Sequence, residues 1–167
     1  MSFCTHHRNP ADAVEQAYFR IQQERMAGVP ILNPALSVQA VDFQRWAGHW
    51  LGMVVTPWCM SILLVPGSTE SWISTSENKR RFVNFPAGDF AFLGSSEPEL
   101  GEYQSCSLFS PMGKFSNQSE ALMTARASIS GLLTAPNSCA PTADGAGAAD
   151  DLPSLSRRRF FTLRRAQ

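Results

Sequence analysis

The sequence predicts an α+β domain, an antiparallel β-sheet packed against an N-terminal and a C-terminal helix. A segment of helical period opens the chain, a series of short apolar segments separated by turn residues follows, and a second helical segment comes after them. Strands do not alternate with helices, which favours antiparallel pairing. We expect both helices to cover one face of the sheet. The length of 167 residues suits one such domain with tails.

The first helix is predicted over residues 10–27. Asn9 and Pro10 form a typical helix start, and Gly28 and Pro30 end the helical pattern. Between them the apolar residues recur close to helical spacing, so one face of this helix should be buried. These residues are Val14, Ala17, Tyr18, Ile21 and Met26.

Strands are predicted from Ser37 onward. The segment SVQAVDFQRW alternates with one shift, which indicates a bulge, and a turn follows at residues 47–49. The segments WLGMVVTP and MSILLVP are almost continuously apolar, which is typical of strands buried on both faces. Pro57 should mark a break between them, because proline removes a ladder donor.

The second half of the domain continues with strands and ends in a helix. The charge run at residues 79–81 is predicted to be solvated and precedes the strand FVNFP. A hairpin of DFAFLGSS and YQSCSLFSP follows, linked by the acidic loop EPELGE. The second helix should begin at Ser119 and end near Ala135, with its apolar residues on one face.

Composition divides the chain into four predicted parts. Residues 1–9 form a flexible N-terminus and residues 10–135 the domain. Residues 136–155 are rich in Pro, Gly, Ala and Asp, which predicts a flexible linker, and residues 156–167 form a basic tail. The tail holds five arginines and no acid, which leaves the other 155 residues with a net charge of −5. An acidic body argues against nucleic acid and favours a basic ligand.

No enzyme motif occurs in the sequence, and we expect neither catalysis nor a cofactor. The four cysteines form no C-x-x-C pair, and Cys4, His6 and His7 are expected to be a disordered terminal cluster, not a metal site. The longest apolar run, residues 51–66, is shorter than the roughly 20 residues a membrane helix needs and contains Pro57. A cytoplasmic protein without membrane insertion is predicted.

Two features are candidates for peptide binding. The first is a cluster of carboxylates, Glu97, Glu99 and Glu102, with Asp89 earlier in the same hairpin. These carboxylates repel one another, and binding a pair of guanidinium groups would relieve that repulsion. The alternative is an ordinary solvated hairpin tip. Around the strand break, an aromatic residue beside apolar strands offers a peptide-binding anchor, and the alternative is that the aromatic residue is core. The residues at this break are Pro57, Trp58 and Met60.

Four blocks of the sequence resemble one known family. The segments NPALSVQAVDF, WLGMVVTPWCMSILLVPG, FPAGDFAFLG and YQSCSLFSPM, in this order and spacing, are similar to the HybE family of nickel–iron hydrogenase assembly chaperones. The resemblance covers most of residues 30–135. It implies a cytoplasmic, non-enzymatic protein that binds hydrogenase precursors.

The resemblance also implies what is bound. The partners would be the hydrogenase small-subunit precursor, with its twin-arginine signal peptide, and the large subunit, with export held back until maturation is complete. Some relatives carry a fused rubredoxin domain linked to assembly in oxygen, and this chain lacks its paired C-x-x-C motifs. The alternative function is thiol-dependent protection of iron–sulfur cluster assembly by Cys59 or Cys106. Cys106 lies in the matching SCSL block, so a redox role for it stays open.

The segment SRRRFFT, residues 156–162, resembles a twin-arginine signal at the wrong end of the chain. We interpret its key residues as an imitation of the signal peptide that competes for the same groove or docks on a neighbouring copy as tail-exchanged self-association. The alternative is a disordered basic tail. The key residues are Arg157, Arg158, Phe160 and Phe161.

Overall fold

A computed structural model describes residues 4–136. Helix α1 spans Ala11–Glu24 and helix α2 spans Gln118–Leu132. Between them lie six strands, which form one antiparallel sheet in the order β1-β2-β3-β6-β5-β4. The strands are β1 Gln39–Trp46, β2 His49–Val55, β3 Met60–Val65, β4 Arg80–Phe85, β5 Gly88–Glu97 and β6 Gly101–Phe109. The predicted α+β fold is therefore confirmed.

The prediction that both helices cover one face of the sheet is wrong. Alternate residues of β2 and β3 belong to two separate cores, because side chains of a strand point to opposite faces. Leu51 and Met53 pack with α2, whereas Val54 and Leu63 pack with α1. The helices thus lie on opposite faces. The continuous apolar character of these strands already required cover on both sides.

Each helix follows an asparagine side chain that accepts a backbone N–H, as the N-cap residue in α2 and one residue before the N-cap Pro10 in α1. The Asn9 carboxamide oxygen accepts from the backbone N–H of Ala11 at 3.0 Å, so α1 begins just after Pro10. Asn117 caps α2 by accepting from the N–H of Glu120 at 2.9 Å, and α2 begins earlier than predicted. Gly28, at a φ of 73°, lies beyond the C-terminal end of α1.

Turn chemistry fixes the registers of the sheet. The predicted bulge lies between Val41 and Gln44, where Asp42 has a φ of 50°. Ala47 and Gly48 both have positive φ, as the tight β1–β2 hairpin requires. The strand break at Pro57 separates β2 from β3.

The N-terminal segment is anchored from Cys4 onward and is not the disordered cluster predicted for it. The His6 backbone donates to the Pro66 carbonyl at 2.9 Å, and its ring Nε2 lies 2.9 Å from the Leu100 carbonyl. The Trp50 indole in turn donates to the His6 carbonyl at 2.8 Å. Within residues 4–136, no helix is long and apolar enough to cross a membrane.

Candidate peptide-binding site

The seven residues predicted to bind a peptide do not form one cluster. Trp58, Glu97 and Glu99 lie on the α1 side of the sheet, whereas Met60 and Glu102 point to the α2 side. The division follows from the two-residue period of β5 and β6. The remaining two, Pro57 and Asp89, lie in the β2–β3 corner and at the β4–β5 hairpin.

Trp58 is half-buried and stacks on Tyr18 of α1, with ring centroids 6.4 Å apart. Tyr18 also meets Tyr103 of β6 edge to face, and the two hydroxyl oxygens are 3.5 Å apart. Burial raises the pKa of both tyrosines, so both stay neutral. Trp58 thus packs on the buried tyrosines while remaining partly accessible to solvent.

The β2–β3 corner is held by the Thr56 side chain. Its Oγ1 donates to the Cys59 carbonyl and accepts from the Cys59 N–H, each at 2.9 Å. Pro57 is buried in this corner, and its carbonyl accepts from the Asn33 N–H at 2.8 Å. Met60 is fully buried on the α2 side. Of the predicted anchor residues Pro57, Trp58 and Met60, only Trp58 is partly exposed.

Glu97 and Glu99 meet two arginines of the same domain. Arg20 donates through Nε to Glu99 and through Nη2 to Glu97, each at 2.6 Å, and through Nη1 to Glu24 at 3.0 Å. Arg25, just past the end of α1, donates to both carboxylate oxygens of Glu97 at 2.8 and 3.2 Å. The guanidinium pair expected from a ligand or the tail is thus preceded at these acids by two arginines of the domain, in α1 and at its C-cap.

These ion pairs set the protonation of the cluster. The Arg20 guanidinium lowers the pKa of Glu99, and the carboxylates around it raise the pKa of Arg20. Glu97 is only 6% exposed, whereas Arg25 is 56% exposed. An incoming guanidinium would therefore have to exchange with Arg25 to reach Glu97.

A cleft of about 420 Å³ borders this ion-pair network. Its wall includes Glu97 and Glu99 on one side and Cys4 of the anchored N-terminal segment on another. The complete lining is Cys4, Ser96, Glu97, Pro98, Glu99 and Gly101. A second cleft, of about 510 Å³, lies between the N-terminal segment and the first turns of α1, lined by residues 5–10, Asp12, Ala13 and Gln16.

Glu102 serves the interior of the domain. Its carboxylate accepts from the Trp72 indole at 3.2 Å, the Ser74 hydroxyl at 2.8 Å and the Thr75 N–H at 2.7 Å. It is 4% exposed and holds the segment between β3 and β4 against the sheet. No local pattern predicts this role, because the three donors lie about thirty residues earlier in the chain.

Asp89 lies at the far end of β5 from Glu97. Asn84 donates to its carboxylate at 2.7 Å across the hairpin. Asp89 lies eight positions before Glu97 on the strand, a distance of roughly 27 Å at about 3.4 Å per residue. Asp89 therefore does not join the carboxylates at the other end of the strand.

The thiols of Cys59 and Cys106 are free and half-buried. Burial raises the pKa of Cys59, and it raises the pKa of Cys106 to about 11. At neutral pH both are therefore overwhelmingly protonated, and the thiolate is the reactive form. Cys106 packs against the α2-side core. Within residues 4–136, no group of three His, Cys, Asp or Glu side chains could hold a metal ion.

Comparison with known families decides the classification. The model of the family described as NiFe-hydrogenase assembly chaperone HybE matches residues 9–163. The chain belongs to the HybE family. The match reaches past the described domain and includes the predicted signal mimic, Arg157, Arg158, Phe160 and Phe161. The mimic lies outside the described residues, as does the predicted linker 136–155 apart from its first residue.

Relatives and a solved structure agree with the HybE assignment. Protein HoxT of Cupriavidus necator is 37% identical over 150 residues, which cover 80% of this chain and 84% of HoxT. The probable rubredoxin HupJ of Rhodobacter capsulatus is 35% identical over 70% of this chain but only 42% of its own length. The solution structure of HybE from Escherichia coli matches with a TM-score of 0.66 and 25% identity, over 87% of this chain and 91% of that one.

Proposed function

We propose that this HybE-family chaperone binds the precursor of the small subunit of an exported nickel–iron hydrogenase through its twin-arginine signal peptide. The large subunit is the second partner proposed. Binding delays export until maturation is complete and takes place in the cytoplasm, without catalysis. Membership of an assembly-chaperone family supports the general role.

One observation carries the signal-peptide proposal. On the α1 side, the exposed part of Trp58, stacked on Tyr18, and the Glu97–Glu99 carboxylates belong to the same face of the domain. A twin-arginine signal offers a guanidinium pair followed by apolar residues. Carboxylates beside an aromatic surface complement that order, with charge giving specificity and apolar contact giving affinity.

Because Arg20 and Arg25 already contact these carboxylates, a guanidinium of the peptide binds by replacing an arginine of the domain. A guanidinium from the peptide gains the carboxylate contacts that Arg25 gives up, so the net electrostatic gain is small. Moderate affinity suits a chaperone that must release its cargo. High salt should weaken the arginine contribution more than the apolar one.

Pull-down from cells expressing the hydrogenase tests the proposal. The small-subunit precursor should be enriched with the tagged chaperone, and enrichment should fall when its signal peptide is deleted. Enrichment of neither hydrogenase precursor would refute the proposed role. Enrichment independent of the signal peptide would retain the chaperone and refute the signal-peptide site.

Within the site, Glu99→Gln and Trp58→Ala are the informative variants. Both should weaken binding of a synthetic twin-arginine peptide, measured by calorimetry, by several-fold each. Asp89→Asn is the matched control, because Asp89 lies at the opposite end of β5. A control variant that weakens binding as much as Glu99→Gln would remove the assignment of the acid site.

Thiol-dependent protection of cluster assembly is the alternative. The raised pKa of Cys59 and of Cys106 disfavours reactive thiolates at neutral pH. Serine at both positions should leave hydrogenase maturation in air unchanged if the chaperone proposal is right. A loss of maturation in air, with maturation without oxygen intact, would instead support the thiol function.

A further inference from the structure

Strand β4 is an edge of the sheet and pairs only with β5. The Gly94 N–H donates to the Lys79 carbonyl at 3.0 Å. The backbone N–H and C=O groups of the even-numbered residues of β5 therefore point toward β4. In an antiparallel ladder the bonding direction alternates along the strand. The backbone N–H and C=O groups of Arg80, Phe82 and Asn84 therefore point to the free side.

The side chains of the same three residues lie on the α1-side face, beyond the cover that α1 provides. Directly opposed residues of neighbouring strands point to the same face of a sheet. Leu63 of the α1-side core lies opposite Ser105, Ser105 opposite Leu93, and Leu93 opposite Arg80, so Arg80 points to the α1-side face. Phe82 on this face is 71% exposed, the most exposed large hydrophobic residue in the described part of the chain. Ala91, its neighbour on β5, is exposed as well.

The charge of this edge is positive. Lys79, Arg80 and Arg81 are consecutive, and none of the three forms a salt bridge within residues 4–136. Arg81 points to the other face, where it donates to Gln104 at 3.0 Å. Arg80 and Phe82 thus stand two residues apart on one open face, a cation beside an aromatic ring.

We propose that β4 accepts an extended segment of a partner protein as a seventh strand, and that this segment carries an acidic side chain and an apolar one two residues apart. Three outward-facing backbone positions supply the ladder hydrogen bonds. The acidic side chain pairs with Arg80 and the apolar side chain covers Phe82, since directly opposed residues of paired strands contact each other.

The chemistry favours this occupant over two others. A second copy would bring no carboxylate to Arg80 through its own β4, because Arg80–Phe85 contains none. A twin-arginine peptide would meet repulsion from residues 79–81. The inference therefore goes beyond the proposed function and adds a second docking surface, of opposite charge preference to the Glu97–Glu99 site.

A pair of synthetic peptides tests the edge on the full chain. The probe is a blocked eight-residue threonine peptide with one glutamate and, two residues later, one valine, and the control peptide has lysine for glutamate. The glutamate peptide should shift the amide resonances of Arg80, Phe82 and Asn84 and bind up to about fivefold more tightly than the lysine peptide, the range of one exposed ion pair. Arg80→Glu should reverse this preference, and Arg126→Glu on α2 should leave it unchanged.

The same spectra contain the outcomes that would overturn the proposal. Equal affinity for both peptides would refute selection by charge. Resonance shifts outside β4 and β5 would refute strand addition at this edge. Shifts at Phe82 that depend on protein concentration without peptide would show a second copy at this edge. Slow amide exchange at Phe82 in the free chain, at any concentration, would show that the chain itself already covers it.

Discussion

The Arg20 guanidinium lies 2.6 Å from the Glu97 carboxylate and joins α1 to the end of β5. A second nitrogen of the same guanidinium lies 2.6 Å from Glu99, so one side chain holds two acids that follow each other on one face. Removing such a partner leaves a poorly solvated carboxylate without its counter-charge. The ion pair therefore positions the acidic residues before any ligand arrives.

Arg20→Gln should destabilise the domain more than Arg25→Gln does. Arg20 contacts three carboxylates, whereas Arg25 contacts one and is more exposed. The melting temperature should fall by several degrees for Arg20→Gln and by less for Arg25→Gln. Arg126→Gln is the control, because its nitrogen lies 3.9 Å from Asp42 and both groups are exposed. The reverse order would contradict the structural role given to Arg20.

The domain should become less stable as the pH is lowered, because the buried His49 would have to be protonated. Its Nδ1 accepts from the Gly67 N–H at 3.2 Å, Nε2 lies 3.1 Å from the Ser71 hydroxyl, and burial lowers its pKa. Arg45 and Arg81 lower that pKa further. Because the unfolded chain binds the proton more readily, stability is lost as pH falls below about 6.5, the ordinary pKa of histidine.

Urea denaturation at pH 7.5 and 5.5 measures this effect. The midpoint should be lower at pH 5.5 for the wild-type chain, and His49→Gln should reduce the difference between the two midpoints. His7→Gln is the matched control, because His7 is exposed. A pH dependence that survives His49→Gln in full would assign the loss of stability to other groups.

Thr56 should be more sensitive to loss of its hydroxyl than to loss of its methyl group. The fully buried hydroxyl closes the corner on both the N–H and the carbonyl of Cys59. Thr56→Val leaves buried polar groups unsatisfied and should cost about 1–3 kcal/mol of unfolding free energy. Thr56→Ser retains the hydroxyl and should cost clearly less. Equal costs would show that packing, not hydrogen bonding, holds the corner.

Two glycines should respond in opposite directions to alanine. A Cβ at Gly52 would lie 2.4 Å from the Phe43 ring, so Gly52→Ala should cost about 1–3 kcal/mol through overpacking. A Cβ at Gly131 in α2 would meet nothing within 4 Å, so Gly131→Ala should stabilise by about 0.4–1 kcal/mol. Chemical denaturation of both variants checks the pair, and a neutral Gly52→Ala would contradict the close approach of Phe43.

Local patterns in the sequence were sufficient to predict the strands, a bulge in the first strand and the break at Pro57, because these depend on neighbouring residues; the bulge itself lies after Val41, not before it. The position of the acids was not predictable in the same way. Whether Glu102 shares a face with Glu97 depends on the hairpin register, which places Glu97 opposite Gly101. The pairing of Glu97 with Arg20 depends on where α1 crosses the sheet, a contact 77 residues apart in sequence.

Removing the C-terminal signal mimic should strengthen peptide binding, provided that the proposed function is correct. If Arg157, Arg158, Phe160 and Phe161 compete with cargo, Arg157→Gln with Arg158→Gln should tighten binding of a twin-arginine peptide to the full chain. A tethered competitor acts at an effective concentration on the order of millimolar, so removing it should raise the apparent affinity several-fold. Calorimetric titration with the peptide measures the change.

The chain provides a control of equal charge for this test. Arg164 and Arg165 are also adjacent, but Ala166 and Gln167 follow them where a signal has large apolar residues. Replacing this second pair by glutamine removes the same charge and should change peptide affinity much less. Equal effects of the two double variants would mean that the tail acts only through its net charge. Weaker or unchanged binding after Arg157→Gln with Arg158→Gln would count against mimicry, since a competitor that is removed can only leave the groove more accessible.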